Sequence, residues 1–114
     1  MPHPPPPREP LSSGLNLVGD RWSLAVIDAV LRGEHRFGQL LDALPGLAPN
    51  ILSRRLRQLE ADGLLVARPY QTRPPRFAYQ PTDRAEALAP VIAALRAWAA
   101  AGEADPAGDD AVWV

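Results

Sequence analysis

Two short apolar helices joined by a proline-glycine turn, followed directly by paired runs of β-forming residues, predict an α+β fold. The fold class is a winged helix-turn-helix, a helical domain carrying a small antiparallel β-hairpin wing. Three observations carry that prediction. "GQLLDALPG" and "APNILSRRLRQLEADG" have helical apolar spacing on either side of Pro45-Gly46-Leu47-Ala48. After Gly63 the period changes, and "LLVARPY" and "RFAYQ" show partial alternation around a proline-containing loop. A long amphipathic stretch, "TDRAEALAPVIAALRAWAAAG", then closes the domain.

The elements follow in order. "LSSGLNLVG" reads as a first helix with Leu11, Leu15 and Val18 on one side. In "DRWSLAVIDAVLRG", Asp20 is suited to an N-cap, Leu24, Ile27 and Leu31 share a face, and Gly33 stops the helix. "HRF" is long enough only for a brief extended piece. The third helix buries Leu40, Leu41 and Leu44. Pro49 suits the first turn of the fourth, where a missing N–H costs nothing. "QTRPP" is the hairpin loop. The closing helix is capped by Thr82 and carries the stripe Leu88, Ile92, Leu95 and Trp98, with Pro90 expected to bend it.

Composition bounds the possibilities. The chain has 114 residues, enough for one small domain. Residues 1–10 are proline-dominated and read as a disordered arm, 11–101 as the folded domain, and 102–114 as an acidic flexible tail. No apolar run approaches a membrane span and no signal-peptide block is present, so a cytoplasmic protein with no membrane partner is expected. Cysteine is absent and there are only two histidines, which leaves no thiolate chemistry and no expected metal site. Nor does any nucleophile–base pair or phosphate loop stand out. The chain is not expected to be an enzyme, and it has no expected cofactor.

Formal net charge is only -1, but it is unevenly placed. Residues 49–82 hold six arginines against Glu60 and Asp62, a net +4, while residues 102–114 hold four acids and no base. A basic middle in a neutral protein points to a polyanionic partner.

Advancing the 49–61 helix by about 100° per residue puts Leu56 and Leu59 within roughly 40° of Leu52. Asn50, Ser53, Arg54 and Arg57 project from the opposite side, and Pro49 opens the helix. Arg donates two hydrogen bonds to guanine and Asn pairs with adenine, so this face suits double-stranded DNA in a major groove. Arg57, a turn further on, suits phosphate. Arg55 falls on the flank, within reach of an acid such as Asp42 or Asp62. Arg73 and Arg76 flank Pro74-Pro75 in the wing, where they suit phosphates or a minor groove. Arg36 is a candidate phosphate contact or an ordinary surface residue. Trp22, Phe37, Phe77 and Tyr79 read as core, and His35 as a turn residue.

The segments "LNLVGDRWSLAVIDAVLRG", "RFGQLLDALPGLAPNILSRRLRQLEADGLL", "RPYQTRPPRFAYQPT" and "LAPVIAALRAW" together resemble the HxlR family of bacterial winged-helix transcriptional regulators. The resemblance spans about residues 10–99. It implies a homodimer on palindromic promoter DNA, with the first and last helices forming the dimer interface. On this chain that places Leu11, Leu15, Leu88, Ile92, Leu95 and Trp98 in the interface.

The chain departs from the family pattern at three positions. Glu9 stands where many members have a cysteine, so the family's thiol switch is not carried over. Ala48 replaces the serine that caps the recognition helix, and Ala85 replaces a glycine. A small-molecule effector, if one exists, would find space between the closing helix and Trp22. The competing function is a winged-helix protein–protein interaction module that no longer binds DNA, using the arm, the tail or the wing.

Overall fold

Helix starts and stops define the architecture. The computed structural model describes residues 9–103. Helix α1 (Pro10–Val18) is capped by Glu9, whose carboxylate accepts the Ser12 amide at 3.1 Å, and Pro10 occupies its first turn. It therefore begins inside the stretch read as an arm; residues 1–8 lie outside the described residues. A Cβ on Gly19 would strike the Leu15 carbonyl, to which the Gly19 amide donates at 2.7 Å, so glycine permits this tight exit.

Helix α2 (Ser23–Leu31) follows a turn held by Asp20. The Asp20 carboxylate accepts the Trp22 and Ser23 amides at 3.1 and 3.2 Å, and also the Ser23 hydroxyl. Asp20 thus caps the turn ahead of the helix rather than the helix itself. The buried residues of α2 are Ser23, Val26, Ile27, Ala29 and Val30, whereas Leu24 and Leu31 are only half-buried. The predicted Leu24–Ile27–Leu31 face does pack on the core, but Val26, Ala29 and Val30 are buried beside it. This helix packs against α3, α6 and the hairpin at once, and a helix enclosed on several sides does not reveal one inner face by periodicity.

Helix α3 (Phe37–Ala43) buries Leu40 and leads through Leu44 and Leu47, both in the core, to α4 (Pro49–Ala61). Gly46 turns between them at φ +91°, a conformation that costs a glycine nothing. In α4, Leu52, Leu56 and Leu59 are completely buried, as the wheel requires.

Strands β1 (Leu65–Thr72) and β2 (Pro75–Pro81) pair antiparallel from Leu65↔Pro81 to Thr72↔Pro75. The strands are longer than predicted, and the five-residue loop shrinks to Arg73-Pro74. Pro75 is accommodated because the first residue of an edge strand need not donate to the ladder. The brief extended piece exists as a bridge between Arg36 and Ala78, supported by the Tyr79 amide donating to the His35 carbonyl at 2.8 Å.

The closing helix is two helices, α5 (Asp83–Glu86) and α6 (Ala89–Glu103). Pro90 has no N–H to donate and its ring crowds the Glu86 carbonyl, so the helix breaks where only a bend was expected. Thr82 accepts the Ala85 amide at 3.3 Å, and its hydroxyl lies 2.8 and 3.1 Å from the Gly63 and Leu64 carbonyls. One residue thereby fastens α5 to the end of α4. Helix α6 runs to Glu103, past the expected boundary at 101; residues 104–114, most of the acidic tail, lie outside the described residues. Contrary to the sequence reading, the 83–103 stretch does reach the length and apolarity of a bilayer-spanning helix. It is interrupted at Ala87–Leu88, and Ala85 and Ile92 belong to the protein core.

Candidate nucleic-acid interface

The three arginines of α4 divide between two environments. Arg54 and Arg57 are exposed, as is Asn50, and Ser53 is half-buried. Among the described residues, neither Arg54 nor Arg57 has a carboxylate within ion-pair distance. Arg55 points the other way and lies 3.4 Å from Asp20. Its partner is neither Asp42 nor Asp62, the acids nearest in sequence; Asp62 instead accepts two bonds from Gln58, at 3.1 and 3.2 Å. The three buried leucines fix the rotation of α4, so this partition follows directly from the sequence. Ala48 provides no side-chain bond at the helix start, where Pro49 is the first helical residue.

Asp20 is correspondingly acidic. Burial alone pushes its carboxyl up, but the Ser23 hydroxyl, the Trp22 and Ser23 amides and the Arg55 charge outweigh it, and the net shift is downward.

Arg73 and Arg76 are exposed at the wing tip, and Arg68 is exposed on β1. At the wing base, burial raises the Tyr79 phenol; Glu60 raises it further and Arg57 opposes them. Arg36 stacks on the Tyr70 ring, its guanidinium carbon 4.3 Å from the centroid. Tyr70 was not singled out in the sequence. It occupies an irregularity in the hairpin register between Pro69 and Gln71, and Pro69, which has no amide to give, was the available signal. Trp22, Phe37 and Tyr79 pack half-buried against the core, but Phe77, also read as core, is 42% exposed.

The remaining feature is apolar. Leu11, Leu15, Leu95 and Trp98 are 66%, 56%, 49% and 74% exposed, far more than a helix facing its own core allows. Ile92 is buried and Leu88 half-buried, so both line the adjoining groove without being exposed on this surface. Val91, absent from the predicted stripe, is exposed instead. A groove of about 840 Å³ runs between α1, α2 and α6. Leu24 and Ala25 line it, whereas Trp22 does not, so the space foreseen beside Trp22 is displaced. Asp28 binds Arg96 at 3.0 Å and Arg32 at 3.2 Å, tying α6 to α2. Among the described residues no cluster of His, Asp and Glu is arranged to hold a metal ion.

Comparison with known proteins matches residues 17–105 to the HxlR-like helix-turn-helix family. An HTH-type transcriptional regulator of Synechocystis, sll1512, is 40% identical over 75% of this chain and 64% of its own length, so the chain spans under two thirds of that relative. The regulator YvaP of Bacillus subtilis is 33% identical over 75% of this chain and 79% of its own. Among solved structures, the reduced form of the redox regulator HypR superposes with a TM-score of 0.74 at 27% identity, covering 85% of this chain and 93% of HypR.

Proposed function

This chain belongs to the HxlR-like helix-turn-helix family, and from that premise we propose that it is a transcriptional regulator acting in the cytoplasm as a homodimer that reads palindromic promoter DNA. One observation carries the reading. Arg54 and Arg57 stand exposed and, among the described residues, without carboxylate partners on a helix whose other side is anchored by Leu52, Leu56 and Leu59.

In this reading Pro49, Asn50, Ser53 and Arg54 enter the major groove, and the side chains of Asn50, Ser53 and Arg54 address base edges. Arg57, with Arg36, Arg73 and Arg76, neutralises phosphates and supplies affinity that falls with salt. A second copy covers the exposed Leu11, Leu15, Val91, Leu95 and Trp98, and its recognition helix then lies about 34 Å away, one turn of B-DNA. HypR is a redox regulator; with no cysteine in this chain, a thiol switch has no chemical basis here.

Selection of bound fragments from a random duplex pool tests the proposal. The expected product is an inverted repeat with half-sites near one helical turn apart. Retention of no motif above the input pool would reject it.

A further inference from the structure

The start of α3 and the wing enclose an open cleft of about 640 Å³, within the size range of small-ligand sites. Its walls are aromatic: Phe37 from α3, Tyr70 from β1, and Phe77 and Tyr79 from β2. Arg36 and Arg76 share the lining, and no aspartate or glutamate does. Phe37 and Tyr79 also pack against the core, but neither stability nor phosphate binding accounts for Tyr70 and Phe77. Tyr70 and Phe77 remain 41% and 42% exposed, so much of their surface packs on nothing. A DNA phosphate uses the guanidinium groups but has no need of the rings.

The hairpin is shaped toward this arrangement. Pro69 pairs with Phe77 and Gln71 with Arg76, so the register skips Tyr70. Such an irregularity re-aims a side chain, and here the Tyr70 ring lies beneath the Arg36 guanidinium, whose carbon is 4.3 Å from the ring centroid. A cation held over a ring in this way keeps N–H donors for a second partner. No carboxylate among the described residues takes them. A guanidinium oriented by a ring, beside a second guanidinium and an exposed ring, is matched to a flat molecule with an acid at its edge.

We propose that this cleft binds a planar aromatic carboxylate, its ring against Phe77 and Tyr70 and its carboxylate accepting from Arg36 and Arg76. Occupancy withdraws both arginines from the DNA backbone and so weakens DNA binding. That consequence rests on the DNA-reading assignment, whereas ligand binding to the free protein does not.

Calorimetric titration of the full chain, without DNA, with 1-naphthoate and its uncharged counterpart 1-naphthalenemethanol tests the site. The expected result is saturable binding of one naphthoate per chain, with the alcohol about tenfold weaker or worse. Phe77→Ala and Arg36→Gln each weaken naphthoate by a similar factor. Leu15→Ser, in the groove between α1 and α6, leaves naphthoate binding unchanged. Melting curves confirm that each variant is folded. Absence of saturable binding, equal binding of the alcohol, or loss in Leu15→Ser but not in Phe77→Ala overturns the assignment. A chain that binds its duplex but no naphthoate loses this site and keeps the DNA reading. A chain that binds naphthoate but no duplex does the reverse.

Discussion

Arg55 and Asp20 form an ion pair at 3.4 Å that ties α4 to the turn before α2. Its neighbours Arg54 and Arg57 have no such partner among the described residues, so adjacent arginines on one helix serve different ends. Arg55 holds α4 in place, and the others are free to meet a ligand.

The Asp20 carboxyl lies below its ordinary value of 3.8, which links stability to pH. A group depressed in the folded state stabilises the protein above its unfolded pKa, and that contribution is lost as pH falls through the folded one. Asp20→Ala is expected to destabilise by about 1 kcal/mol at neutral pH, mostly through the lost cap, because a half-exposed ion pair adds only a few tenths. Urea denaturation should show this difference constant at neutral pH and shrinking as pH drops below 3.8. A difference that persists undiminished at lower pH would contradict the role given to the charge.

Thr82 bonds at once to α5 and to the end of α4. Thr82→Ala should therefore cost about 1–2 kcal/mol, read as a lower denaturation midpoint with an unchanged slope. A loss within about 0.3 kcal/mol would mean that these bonds add nothing beyond solvation.

The exposed stripe on α1 and α6 predicts a dimer. Light scattering should give twice the chain mass for the unaltered protein and one chain mass for Leu95→Asp, which places a charge in the shared face. Helix content should be unchanged, because Leu95 contributes little to the protein's own core. A Leu95→Asp protein that stays dimeric would locate the interface elsewhere.

Wing arginines act without regard to sequence in this account. Arg73→Ala should weaken cognate and scrambled duplexes by the same factor and make the slope of log K against log salt shallower by about one. An effect confined to the cognate duplex would turn Arg73 into a base reader.

Local signals made much of this legible in the sequence. Leu52, Leu56 and Leu59 repeat at helical spacing, so the outward direction of Arg54 and Arg57 followed at once, and Gly63 and Thr82 marked real boundaries. What escaped was set by tertiary context. Helix α2 is surrounded, so no single stripe could name Val26 and Val30 as its buried residues. Arg55 found Asp20, remote in sequence, because packing brings α4 against the α2 turn. Ile92 joined the core while Val91 stayed exposed, a partition that the stripe of Leu88, Ile92, Leu95 and Trp98 does not show. Tyr70 came into view only through an irregularity in strand pairing, which no alternation pattern in the sequence displays.

The most direct test concerns Arg54, exposed near the start of α4. Equilibrium binding of Arg54→Ala should be measured on the selected duplex and on duplexes altered at each half-site position. The account predicts a loss of about 1–3 kcal/mol on the selected duplex, with discrimination relaxed at one base pair and retained at the others. Unchanged affinity, or a loss spread evenly over every duplex, would contradict a base-reading role for this face of the helix.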